Sequence, residues 1–263
     1  MEQDEKGYLY PVIAKELCVE CGLCKKVCPL KENKRENSFE KKAYGVKNIN
    51  REERMKSSSG SVFIEVAKYV LDKNGAVYGV ELTPDFQVRH ERADLFTAVR
   101  KFQGSKYVQS DKNDVFRRIQ NDLKTGKPVL FTGTPCEVAG LKQFLRREYD
   151  NLYTLDLICH GVPSMKLFQA CLKEKEKISK VEEIRFRDKE YGWRNQELYI
   201  KLKNGTIYHA PIWGDNFYRL FTSNYILRDS CYTCKFANME RQGDITIGDF
   251  WNCLLYTSDA ADD

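Results

Sequence analysis

Nowhere in these 263 residues does an uninterrupted apolar run approach the roughly 18 needed to cross a bilayer, which excludes a membrane-spanning helix. The amino-terminal stretch MEQDEKGYLYP is acidic and lacks the apolar segment of a secretory signal, so the expected compartment is the reducing cytoplasm. Structural disulfides are excluded with it. Charge of one sign is also scarce: 43 basic against 38 acidic residues leave a net +5 spread along the chain, too little for a nucleic-acid footprint. No G-x-G-x-x-G follows a strand pattern and no Walker A sequence occurs, so a standard dinucleotide or nucleoside-triphosphate loop is not indicated. With 42% hydrophobic and 31% charged residues, the chain can bury a core of one large or two modest domains. Cysteine is what the chain has in excess: ten residues, which in a reducing compartment bind metal more often than they cross-link.

Residues 1–36 form a small cysteine-rich head, 37–57 a polar and charged connection, and 58–252 the main body. In the body, apolar residues recur at three and four from Val62 to Leu71, with Ser58, Ser59 or Ser61 available to cap. Helices are also predicted over 113–125, 137–147 and 165–178, and strands over 76–80, 128–131 and 152–158. That alternation predicts an α/β fold with a mostly parallel or mixed sheet flanked by helices. Beyond Val181 the apolar residues alternate around a Lys203-Asn204-Gly205-Thr206 turn, which predicts a β-rich part with a hairpin. The last residues, Cys253 to Asp263, carry no turn or cap pattern and match what the end of a common sequencing adapter would encode. They are expected to be a non-native tail, with Cys253 no ligand and native sequence continuing past Asn252.

Cys18, Cys21, Cys24 and Cys28, the last followed by Pro29, form C-x2-C-x2-C-x3-C-P, the ferredoxin run that presents three thiolates to one 4Fe-4S cluster. A zinc site would ordinarily use two pairs with a longer spacer. In two-cluster ferredoxins the cysteine before proline serves the other cluster. Either all four thiols hold one cluster here, or a partner run precedes Met1.

Of the remaining thiols, Cys171 sits mid-helix among apolar neighbours as a small core residue. Cys136 and Cys159 each follow a strand directly, so parallel strands bring both to the carboxyl edge of the sheet, where ligands sit in open α/β folds. Cys136 also opens a helix, whose N-terminal partial charge is expected to favour the thiolate. Cys231 and Cys234 add a two-residue-spaced pair. Four thiols from three segments suit a second iron–sulfur cluster or a four-cysteine zinc site, and spacing leaves both open. His160 beside Gly161 reads as a hydrogen-bonding loop residue. The Ser58-Ser59-Gly60-Ser61 helix start could hold a phosphate, or could simply cap. The Ser105-Lys106-Tyr107 loop would suit a phosphorylated aromatic cofactor, or could be surface.

Taken in order, SSSGSVF, QGSKYVQSD, VLFTGTPCEVAGLK, LDLICHGVPS, FRDKEYGW, SCYTCKFA and GDITIGDFW resemble the beta subunit family of coenzyme F-420 hydrogenases and dehydrogenases over about residues 8–252. The resemblance implies an iron–sulfur flavoprotein oxidoreductase. FAD is expected against Ser58, Ser59, Gly60, Ser61, Ser105, Lys106 and Tyr107, with Thr132, Gly133 and Thr134 counted among the cofactor contacts. A cluster is expected on Cys136, Cys159, Cys231 and Cys234. Members with a ferredoxin head commonly carry two cysteine runs joined by a stretch like DEKGYLYP, which implies that Cys28 serves a cluster completed upstream. The expected partners are a redox protein or ferredoxin and an F-420-like or other small hydride donor. The alternative from another class is a non-catalytic docking or electron-carrier module stabilised by zinc or iron–sulfur.

Overall fold

The computed structural model describes residues 1–30, 41–193 and 195–250; Arg194 and the tail from Cys253 lie outside these. At the amino end, β1 (Glu2–Gln3) and β2 (Leu9–Tyr10) pair antiparallel, and a short helix α1 (Leu23–Lys26) follows within the cysteine run. The polar connection carries helix α2 (Arg51–Lys56), whose buried Glu53 pairs with Arg100 at 2.6 Å.

The main sheet is built from α3 (Val62–Leu71), β3 (Ala76–Leu82), β4 (Val88–Ala93), α4 (Phe96–Val99), α5 (Val115–Lys124), β5 (Val129–Gly133), α6 (Pro135–Leu145) and β6 (Leu152–Leu157). Val115, Ile119 and Leu123 bury one stripe of α5, four residues apart, as an amphipathic helix on a sheet requires. β5 buries Val129, Leu130 and Phe131 in succession because helices cover both faces of the sheet. Thr134 and Glu137 form a capping box that starts α6 at Pro135, two residues before the predicted start, so that Cys136 falls inside the helix.

Helix α7 (Met165–Glu176) leads to an antiparallel sheet of β7 (Val181–Asp188), β8 (Glu197–Leu202) and β9 (Ile207–Pro211), the predicted β-rich part. Helices α8 (Asn216–Thr222) and α9 (Asp229–Tyr232) follow. The final described strand, β10 (Ile245–Ile247), returns to the main sheet beside β6 and parallel to it. The main sheet therefore runs β10-β6-β5-β3-β4, parallel except for the edge strand β4. Core residues cluster on both faces, around Ile119, Phe131 and Leu141 on one and Ile64, Val77 and Leu130 on the other. A third cluster, with Phe168, Ile200 and Tyr218, joins α7 and α8 to the antiparallel sheet. No helix among the described residues is long and apolar enough to cross a membrane.

Candidate cofactor cavity and cysteine centre

Because β3, β5, β6 and β10 run parallel, the segments leaving their carboxyl ends gather at one edge of the sheet. They border a cavity of about 2090 Å³. The segments predicted for the cofactor meet there: Ser58, Ser59, Gly60 and Ser61, then Ser105, Lys106 and Tyr107, and Thr132, Gly133 and Thr134 all line it. The first two touch each other, since the Ser105 backbone N–H donates to Ser58 Oγ at 2.7 Å and the two hydroxyls lie 2.7 Å apart. The capping explanation for the serines does not hold. Ser61 precedes α3 in the left-handed region, φ 65°, without a side-chain cap, and receives a hydrogen bond from Ser57 Oγ at 2.9 Å.

Lys106 Nζ donates to the carbonyls of Lys101 and Gln103 at 2.9 and 3.0 Å. Although its surface is only half-buried, the protein packed around Nζ pushes the ammonium down to about 7, with Glu81 opposing. Tyr107 packs its ring among Phe186, Tyr218 and Phe221, so this loop is anchored to the third core cluster.

Below the Thr132–Thr134 turn lies a buried charge network. Glu137 accepts from Thr134 N–H at 2.8 Å and pairs with Lys112 at 2.8 Å. Burial alone would raise its carboxyl; Lys112, by charge and by hydrogen bond, and the Thr134 N–H outweigh that and hold it at about 2. His90 is fully buried between Ser110 Oγ and the Thr132 carbonyl, both 3.0 Å from its ring nitrogens, and desolvation lowers its pKa.

The structure brings the second cysteine group together. Cys136 follows β5, Cys159 follows β6 and borders the cavity, and Cys231 and Cys234 come from α9 and the residues after it. The last segment is laced to the Cys159 loop: Arg228 N–H donates to the Val162 carbonyl at 3.0 Å, Cys231 N–H to the Arg228 carbonyl at 2.7 Å, and the Val162 backbone hydrogen-bonds the Cys231 thiol. The thiols lie near enough that ionising one disfavours ionising the next: Cys234 acts on Cys136, Cys136 and Cys231 on Cys159, and Cys234 on Cys231.

Desolvation pushes Cys136 up to about 11 and Cys159 up to about 12. For Cys136 this reverses the sequence expectation of a favoured thiolate. Its own surface is open, but protein crowds the sulfur, and the Glu137 carboxylate that caps the helix also opposes a second negative charge. His160 behaves as a loop residue, its Nε2 3.2 Å from the Phe221 carbonyl. Cys171 packs against the third core cluster.

In the head, Cys18, Cys21 and Cys24 are exposed and Cys28 is half-buried. Gly22 sits at φ 69°, a conformation that costs little without a Cβ and lets the chain reverse between Cys21 and Cys24. The head docks against the second cysteine group. Buried Tyr8 points its hydroxyl at the carbonyls of Val162 and Ile226, both at 3.0 Å, and Arg228 Nη2 donates to the Leu9 carbonyl at 3.1 Å. Lys235 Nζ reaches the Leu30 carbonyl at 2.9 Å.

Two features escape sequence reasoning. Asp188, Glu190 and His209 place one ligand-type atom each within 4.8 Å, the one such trio among the described residues. Strand register explains it: Asp188 opposes Glu197, and Tyr199 opposes His209, so these side chains share a face, where Arg185 also pairs with Asp188. The second is Arg187, which lines the cavity from β7 with its side chain 5% exposed. Its signal, an alternating charged run in Phe186-Arg187-Asp188-Lys189, does not say which charge turns inward.

An open α/β sheet holds its ligands at the carboxyl edge of its strands, where this cavity lies. The family pattern for the C terminus of the coenzyme F420 hydrogenase/dehydrogenase beta subunit matches residues 126–262, and the chain belongs to that family. The match runs across 253–262, which the sequence pattern alone sets apart as a tail. No curated protein matches the chain. Among solved structures, a chain of the F420-reducing NiFe hydrogenase complex from Methanosarcina barkeri superposes with a TM-score of 0.53 at 16% identity, covering 78% of this chain and 68% of that one. At that identity the likeness establishes the shared fold. The family places the chain among the redox subunits of oxidoreductases.

Proposed function

We propose that the chain is an iron–sulfur flavoprotein that passes electrons between a small hydride donor or acceptor, F-420-like or other, and a redox partner protein such as a ferredoxin. The observation that carries this reading is the meeting of Cys136, Cys159, Cys231 and Cys234 beside the large cavity. Four thiols from three segments suit a 4Fe-4S cluster, with one iron behind each thiolate, and the ferredoxin run in the same chain favours iron over zinc.

The cavity has room for a flavin dinucleotide, and suits one in the hydroxyls and backbone of 57–61 and 103–107 and in the buried guanidinium donors of Arg187. When bound, FAD supplies the exchange between a two-electron hydride and single electrons. The chain's own part is to stack the donor, exclude water and tune the cluster through burial and backbone donors to the thiols. In this reading Cys18, Cys21, Cys24 and Cys28 belong to a second cluster at the surface, where the exposure of the first three suits docking of a protein partner. The Tyr8 and Arg228 contacts keep that head against the inner thiols, as stepwise electron transfer requires. The thiols imply a reducing compartment such as the cytoplasm.

Anaerobic preparation should yield a brown protein containing iron, acid-labile sulfide and FAD. Cys159→Ala should lose the inner cluster's share of iron while the exposed head keeps its own. Zinc without iron, in a colourless protein, would replace this reading with that of a docking module.

A further inference from the structure

Arg187 is held in place by one arm of its guanidinium, which pairs with Asp249 through Nη1 at 2.8 Å. Its Nε and Nη2 are buried with no hydrogen-bond partner. These two nitrogens share one edge of the planar group, the edge that grips two oxygens of a phosphate or carboxylate in parallel. The side chain is 5% exposed and lines the cavity. Buried donors are rarely left unpaired, because water is lost and nothing replaces it.

The strand is shaped to produce this. Between Arg185, opposite Tyr199, and Asp188, opposite Glu197, β7 carries one residue more than β8. Such a bulge re-aims a side chain out of the strict alternation. The Trp193 ring lies 5.6 Å from the guanidinium carbon and screens it further from solvent.

We propose that Arg187 is an oxyanion clamp: its Nε/Nη2 edge binds a phosphoryl or carboxylate group of a molecule lying in the cavity, with Asp249 fixing the orientation. This rests on the cofactor reading of the cavity but does not require that the molecule be a flavin. The shared chemistry has two sources, the phosphoryl groups of FAD or an oxyanion on a second molecule beside it.

Calorimetric titration of the full chain with FAD, riboflavin and inorganic pyrophosphate, repeated on Arg187→Lys and Arg187→Gln, tests it. Lysine keeps the charge opposite Asp249 but lacks the paired edge. Both variants should bind FAD roughly 10- to 100-fold more weakly with riboflavin unchanged, if the group is the cofactor's. If FAD affinity is kept and pyrophosphate binding to the FAD-loaded protein falls by that factor, the oxyanion belongs to a second molecule. Unchanged affinities throughout, an equal loss for riboflavin, or a wild-type chain that binds neither FAD nor pyrophosphate would overturn the clamp. A wild type that takes pyrophosphate but no flavin sinks the flavin reading and leaves the clamp standing. Should both variants fail to fold, a crystal structure of the wild type with FAD or pyrophosphate decides: no oxyanion within hydrogen-bond reach of both nitrogens refutes it.

Discussion

Replacing Asp156 by alanine removes a carboxylate that is wholly buried at the end of β6. Four donors converge on it: Gln242 N–H and Gly243 N–H at 3.0 Å each, Thr246 Oγ1 at 2.6 Å and Arg241 Nη2 at 3.3 Å. A hydrogen bond to a charged acceptor contributes about 1.5–3 kcal/mol. The four form one network, so their sum overstates the loss. Removing one partner of a buried charge pair, at about 3–5 kcal/mol, sets the better scale. We expect Asp156→Ala to lose about 4 kcal/mol, and Asp156→Asn roughly half of that, because asparagine keeps one acceptor oxygen but turns an amide N–H toward the same donors. For a chain of this size each kcal/mol moves the midpoint by about 2–4 °C, so the alanine variant should melt roughly 8–16 °C lower. Urea unfolding followed by circular dichroism gives the free energy directly. The effect should reach the cavity, since Gln242, Gly243 and Asp244 line it and the chain continues to Asp249, the partner of Arg187. Folded Asp156→Asn should therefore bind FAD more weakly. An alanine variant within about 1 kcal/mol of wild type, at unchanged denaturant slope, would refute the claim that this carboxylate fastens the β10 side of the site.

In metal-free protein, the raised Cys136 and Cys159 thiols, at about 11 and about 12, leave roughly a thousandth and a ten-thousandth as thiolate at pH 8, against about a quarter for an ordinary cysteine. Iodoacetamide should label them about 10²- and 10³-fold more slowly in the folded chain than in urea; peptide mass spectrometry showing equal rates would remove the burial argument. Buried His90, with its pKa lowered, stays neutral where an unfolded histidine gains a proton. Its contribution is thus full above the unfolded value near 6.5 and is lost as pH falls below it, by up to about 1.4 kcal/mol per pH unit. His90→Gln should flatten that part of the stability profile between about pH 6.5 and 5; parallel profiles for variant and wild type would count against a neutral buried imidazole.

Parallel strands and their covering helices are legible in the sequence because burial on two faces leaves continuous apolar runs in β5 and four-residue spacing in α5. The same logic places Cys136 and Cys159 at one edge of the sheet, since each follows a parallel strand. Strand β4 is not legible: Val-Arg-His-Glu-Arg-Ala reads as a charged surface segment, and only tertiary partners, Ser110 and the Thr132 carbonyl, make a buried His90 tolerable there. Helix α8 is likewise fixed by tertiary packing, with Asp215 capping it through Tyr218 N–H while Phe217 and Tyr218 enter the core shared with α7 and β7.

Arg187 is the instructive case. Period-two reading of β7 puts Arg185 and Arg187 on the same face, and nothing in the residue types distinguishes them. The extra residue between Arg185 and Asp188 is a property of pairing with β8, so it appears only when two strands are laid side by side. It leaves Arg185 with Glu183 and Asp188, and gives Arg187 to the cavity with Asp249 as its ion-pair partner. A strand that reads as an ordinary hairpin component therefore supplies the one nine-tenths-buried guanidinium edge without a partner among the described residues. Deleting Phe186 should restore strict alternation and withdraw the Arg187 side chain from the cavity, a loss of oxyanion binding with net charge unchanged.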